Sequence, residues 1–143
     1  MTQTTKVVKA IITPFSMPRY AGKRILWVDD QPENNTYEVQ SFRSLGMLIH
    51  QSKSTEDALD ALSREHYDVV ITDMLRGTDR QAGYELLDAM RQRHIDAPVI
   101  IYSGSANAEY EAEAISKGAL GETNDPTELF QLVTGAVLKA PER

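Results

Sequence analysis

Three places in this sequence put carboxylate or hydroxyl groups directly after an apolar run. Ile25-Leu26-Trp27-Val28 runs into Asp29 and Asp30. Val69-Val70-Ile71-Thr72 runs into Asp73, and Val99-Ile100-Ile101-Tyr102 runs into Ser103. Carboxylates packed together repel, and their ionised forms need compensation. An oxygen-rich cluster without cysteine or histidine suits a hard cation. Mg²⁺ fits best, because it takes one or two carboxylates and keeps waters or phosphate oxygens in its other positions. A carboxylate beside Mg²⁺ can also attack a phosphoryl group and become an aspartyl phosphate. That chemistry requires the chain to bring these polar ends together.

The surrounding pattern supplies the means. Apolar runs such as RILWVD and YDVVITD suit strands covered on both faces. Between them lie segments of helical period. The first begins near Pro32, shares Val39, Phe42 and Leu45 on one face, and stops at Gly46. MLIHQ reads as a short second strand, and residues 55–64 as a helix with Ala58, Leu59 and Leu62 inward. Further helices are expected at about 83–93 and 107–117, and a weak fifth strand near ALGE. The last helix carries Asp125 as N-cap, Pro126 at N1 and Glu128 at N3, the spacing of a capping box. Alternating strands and helices joined by short loops imply a doubly wound α/β fold, a five-stranded parallel sheet with helices on both faces. Ligands bind such sheets beyond the carboxyl ends of the strands, where the winding reverses. In the order 2-1-3-4-5 the strands ending in Asp29–Asp30, Asp73 and Ser103 are neighbours.

Composition narrows the function classes. The chain has 143 residues, a length that suits one domain. Its formal net charge is -6, which disfavours a nucleic-acid backbone as partner. There is no cysteine, hence no disulfide frame and no thiolate chemistry. No apolar run approaches the roughly 20 residues of a membrane span, and VVKAII makes a poor signal peptide, so the expected location is cytoplasmic. The histidines His50, His66 and His94 are scattered without metal-ligand spacing. Residues 1–22, punctuated by Pro14, Pro18 and Gly22, read as an N-terminal extension to a domain over 23–140.

The acidic pair in WVDDQP, the aspartate in VVITDM, the following GYELL, the hydroxyl in IIYSGS and the spacing from Gly118-Ala119 to Pro126 together resemble the receiver domain of bacterial response regulators. The resemblance covers about Lys23 to Leu138. It implies that Asp73 accepts a phosphoryl group from a histidine kinase or phosphotransfer protein. It implies that Asp30, Asp73 and the Leu75 backbone carbonyl hold Mg²⁺, with Asp29 acting through water. Ser103 would contact the phosphoryl group and couple the site to the helix after the fourth strand. The same resemblance suggests a homodimer through the C-terminal helices and a cis Asp125–Pro126 bond, although X-Pro bonds in general favour trans.

Two positions depart from the family's pattern. Asp125 stands where the family places a lysine, and Glu122 where it places its switch aromatic. A phosphoryl group carries about -1.5 to -2 charges, so an aspartate beside it repels. Arg76, three residues after Asp73, is the candidate for the missing charge, although its ordinary reading is a solvated loop charge. Lys53 is a weaker candidate, and Lys117 sits at the far end of its helix. The loop MLRGTDRQAG is longer than usual and lacks the family's Met-Pro. The leading expectation is a phosphoacceptor receiver that acts through a downstream protein partner, without nucleic acid or membrane. The alternative is a pseudo-receiver interaction module that is not regulated by phosphorylation. An aspartate-nucleophile phosphatase ranks below both, because its acid/base position is Leu75 here.

Overall fold

The apolar runs become the inner strands of one parallel sheet. The computed structural model describes residues 17–139. Strands β1 (Arg24–Val28), β2 (Leu48–Ser52), β3 (Val69–Thr72), β4 (Val99–Tyr102) and β5 (Gly121–Thr123) lie in the order β2-β1-β3-β4-β5. Helices α1 (Thr36–Ser44), α2 (Thr55–Arg64), α3 (Ala82–Gln92), α4 (Ala108–Ser116) and α5 (Pro126–Lys139) connect or follow them. This is the expected doubly wound sheet. Its register fixes the site: Val28 is level with Thr72, and Thr72 with Ile101. Asp29 and Asp73 therefore leave the sheet on one row, with Ser103 one residue further along.

Alternation along β1 divides the core. Ile25 and Trp27 pack with Val39 and Phe42 of α1 and with Leu129, Phe130 and Val133 of α5. Leu26 and Val28 face the opposite layer, with Ala58 and Leu59 of α2, Leu86, Leu87 and Met90 of α3, and Ala114 of α4. Trp27 is fully buried, tilted against Phe42 and edge-on to Tyr102 at ring separations of 6.2 and 6.1 Å. Burying a side chain of this kind stabilises the fold by about 1.5–3 kcal/mol. Truncating Phe42, which stacks on Phe130 at 5.7 Å, to alanine would cost about 3–5 kcal/mol.

Helix starts differ from expectation in two places. Pro32 opens a short 3-10 helix, Pro32–Asn35, and α1 proper begins at Thr36. The cause is local: Asn35 is buried and its amide turns inward to Asp29 instead of capping. Gly46 ends the segment at φ +88°, and a Cβ there would meet Ala21 Cα at 3.1 Å. The start of α5 is also rearranged. Asp125 Oδ1 accepts from Thr127 N–H, as an N-cap should. Glu128, however, does not reach back to the Asp125 amide. It accepts from the Thr123 hydroxyl at 2.6 Å, and that hydroxyl accepts from Asp125 N–H. No cis peptide bond occurs among the described residues, so Asp125–Pro126 is trans, the general preference for X-Pro, and not the cis bond implied by the resemblance.

VVKAII lies outside the described residues. The first described residues, Met17–Tyr20, form a short helix beside α5, and Tyr20 is buried in the core. No helix among the described residues is long and apolar enough to cross a membrane.

Candidate phosphoacceptor site

The polar strand ends converge. Asp29, Asp30, Asp73, Leu75 and Ser103 line one cavity of about 400 Å³ at the carboxyl edge of the sheet. One carboxylate oxygen from each of Asp29, Asp30 and Asp73 lies within 4.8 Å of the others. Asp73 is 7% exposed, and its Oδ2 is buried without a hydrogen-bond partner. A buried carboxylate oxygen without a partner is costly unless a cation or donor satisfies it.

The other two carboxylates are held by neighbours. Asp29 Oδ1 accepts from Gln31 N–H and Oδ2 from the Asn35 amide, both at 2.9 Å. Both Asp29 oxygens are thus engaged, which suits contact with a cation through water. Asp30 Oδ2 accepts from Gly77 N–H at 2.9 Å, which ties the loop after β3 to the end of β1. Ser103 Oγ lies 3.1 Å from Ser105 Oγ and accepts from Ser105 N–H at 3.3 Å. The Leu75 side chain is 56% exposed at the rim.

Arg76 is not a solvated loop charge. Its side chain is 8% exposed, with Nη2 at 3.0 Å and Nε at 3.1 Å from Asp73 Oδ1. Nη2 also donates to the Thr72 hydroxyl, and Nη1 donates to the Thr55 hydroxyl. The long loop explains the approach. Arg76 and Asp79 exchange two backbone hydrogen bonds of 3.0 Å, closing a tight turn around Gly77 at φ +62°. That turn sends the Arg76 side chain back over β3. Gly83 completes the frame: a Cβ there would stand 2.7 Å from the Asp73 carbonyl oxygen. Only glycine lets α3 start so close to the site.

Electrostatics follow from this packing. Burial pushes the Asp73 carboxyl up to about 6. Arg76 opposes the rise, and Asp29 adds to it. One guanidinium therefore only partly offsets the demand of this carboxylate for positive charge.

The departed positions lie elsewhere. Asp125 is exposed and caps α5, and Glu122 is buried under α4, lining a different cavity. Lys117 sits over the Tyr84 ring at 5.0 Å, and Lys53 is exposed. The sequence reading missed Asn35, Thr55 and Thr72. Asn35 carried a weak signal, as a polar residue in the first turn after the acidic pair. Thr72 and Thr55 carried none beyond a strand end and a helix start.

The response regulator receiver domain profile matches residues 25–134. The nitrogen assimilation regulatory protein NtrX of Azorhizobium caulinodans is 28% identical over 109 residues, 76% of this chain and 24% of that protein. This chain thus spans about a quarter of that relative. The receiver domain of Francisella response regulator 1452 superposes with TM-score 0.71 at 22% identity, covering 82% of this chain and 98% of that one. Response regulator TrrA of Thermotoga maritima, solved in complex with Mg²⁺-BeF, superposes with TM-score 0.66 at 26% identity, covering 80% and 98%.

Proposed function

This chain belongs to the response regulator receiver domain family of two-component signalling, and we propose that Asp73 is its phosphoacceptor. The observation that carries the proposal is the unpartnered Asp73 Oδ2, buried at the edge of an open cavity and facing Asp29 and Asp30. Arg76 holds Oδ1 and leaves Oδ2 as the attacking atom. An Oδ2 lone pair forms the new bond to phosphorus. The bond to the donor, a phosphohistidine nitrogen or an acyl phosphate oxygen, breaks, and its electron pair leaves with the donor.

Asp30, Asp73 and the Leu75 carbonyl would hold Mg²⁺, with Asp29 behind a water. The donor set fits, being all oxygen with one buried oxygen unmatched. When bound, Mg²⁺ would supply charge neutralisation for the transferring group. Arg76 supplies the fixed positive charge that Asp125 cannot. Ser103 Oγ, on the cavity wall, donates to a phosphoryl oxygen and carries the change toward α4. The donor would be a histidine kinase or phosphotransfer protein, and the output a contact with a downstream protein. The likeness to TrrA, a response regulator solved in complex with Mg²⁺-BeF, supports Mg²⁺ at this site.

The second reading, a pseudo-receiver acting through its surfaces alone, has two observations in its favour. Asp73 Oδ1 is already paired, and the family's lysine position caps a helix. Incubation with acetyl phosphate and Mg²⁺, then borohydride reduction and peptide mapping, separates the two. Homoserine at position 73 is expected. Its absence, in a protein that still binds Mg²⁺, would leave the interaction module.

A further inference from the structure

Away from Asp73, a second carboxylate has a buried oxygen without a partner. Glu122 is 3% exposed, and no hydrogen bond reaches its Oε1. Its side chain lines an open cavity of about 890 Å³ between α3, α4 and the loop after β3. Tyr84, Tyr110, Glu113 and Ser105 share the wall, with Arg80 exposed at the rim. Burial, reinforced by Glu113 and Glu111, raises the Glu122 carboxyl above its usual range.

We propose that this cavity receives an arginine side chain presented by a basic partner protein, with Glu122 as its buried anchor. Four features select that occupant. A guanidinium matches a carboxylate in a paired, planar geometry and stacks on aromatic faces. Tyr84, which lines the cavity, already attracts the Lys117 ammonium over its ring, and Tyr110 offers a second aromatic side chain. A divalent metal fits less well, because among the described residues the only group of three or more acidic or histidine side chains able to share an ion is Asp29, Asp30 and Asp73. The net charge of -6 draws basic partners. The inference does not depend on phosphorylation of Asp73.

The test is an NMR titration of the full chain with N-acetyl-arginine methylamide. N-acetyl-citrulline methylamide serves as the neutral isostere and Mg²⁺ as the metal control. Saturable shifts at Glu122, Tyr84, Tyr110 and Glu113 are expected from the arginine probe alone. Glu122→Gln keeps size and shape and should weaken that binding at least tenfold while leaving the rest of the spectrum in place. No saturable shift, equal shifts from citrulline, the same shifts from Mg²⁺, or undiminished binding by Glu122→Gln would each overturn the proposal.

Discussion

Asp73 and Glu122 are the same problem met in two ways. Both are buried carboxylates near the carboxyl edge of one sheet, both are pushed upward by burial, and each has an oxygen without a partner. At Asp73 the chain has brought a guanidinium to 3.0 Å through a closed turn. At Glu122 the nearest charges that shift it are further acids, Glu113 and Glu111. Positive charge has thus been placed at the exit of β3 and not at the exit of β5, where Asp125 serves as a helix cap. The difference shows that a buried carboxylate at this edge is matched by a guanidinium from the loop after β3, whereas the exit of β5 brings Glu122 no such partner.

Making Asp73 resemble Glu122 is the most disruptive test. Arg76→Ala removes one partner of a buried pair and should lower stability by about 3–5 kcal/mol, read by urea denaturation at neutral pH. Glu122→Gln should cost nothing or stabilise, since it removes an uncompensated charge. Similar losses in both variants would erase the comparison.

The pH dependence comes next in size. The folded protein holds a proton on Asp73 up to about pH 6, whereas the unfolded chain loses it near about pH 4. Between these values the folded state binds more protons, so stability falls as pH rises and the loss is complete above the upper value. The fall, up to about 3 kcal/mol, should flatten in Asp73→Asn and in saturating Mg²⁺. Denaturation curves from pH 3.5 to 8 without metal check the sign.

Restoring the family's residue sharpens the claim about Arg76. Asp125→Lys loses the cap to Thr127 N–H and should cost about 1 kcal/mol. It should restore phosphoryl uptake in Arg76→Ala while adding little to the wild type. A large gain in the wild type would mean that Arg76 supplies no useful charge. The smallest effect concerns the wall of the site. Tyr102 donates to Glu38 at 2.8 Å, and Tyr102→Phe should cost about 1 kcal/mol without altering uptake.

The alternating elements and the polar strand ends were legible from periodicity and from which residues end each strand, while the order 2-1-3-4-5 came from the known winding of such sheets. Asp29, Asp30, Asp73 and Ser103 needed only the 2-1-3-4-5 winding to meet. The Arg76 contact was harder. Arg76 stood out only because a lysine was missing, and local sequence favoured a solvated side chain. Its direction is set by the Arg76–Asp79 turn, and its anchors Thr55 and Thr72 come from separate elements. Asn35 was hidden for a similar reason. Its side chain serves Asp29 across a helix start that period alone placed at Pro32.

We propose, then, that Asp73 takes a phosphoryl group with Arg76 as its fixed counter-charge. Intact-mass spectrometry after acetyl phosphate and Mg²⁺, run on wild type, Asp73→Asn and Arg76→Ala together, tests it most directly. One added phosphoryl group is expected on the wild type, none on Asp73→Asn, and uptake slowed at least tenfold in Arg76→Ala. An unmodified wild type, or an Arg76→Ala protein modified as fast as the wild type, would contradict it.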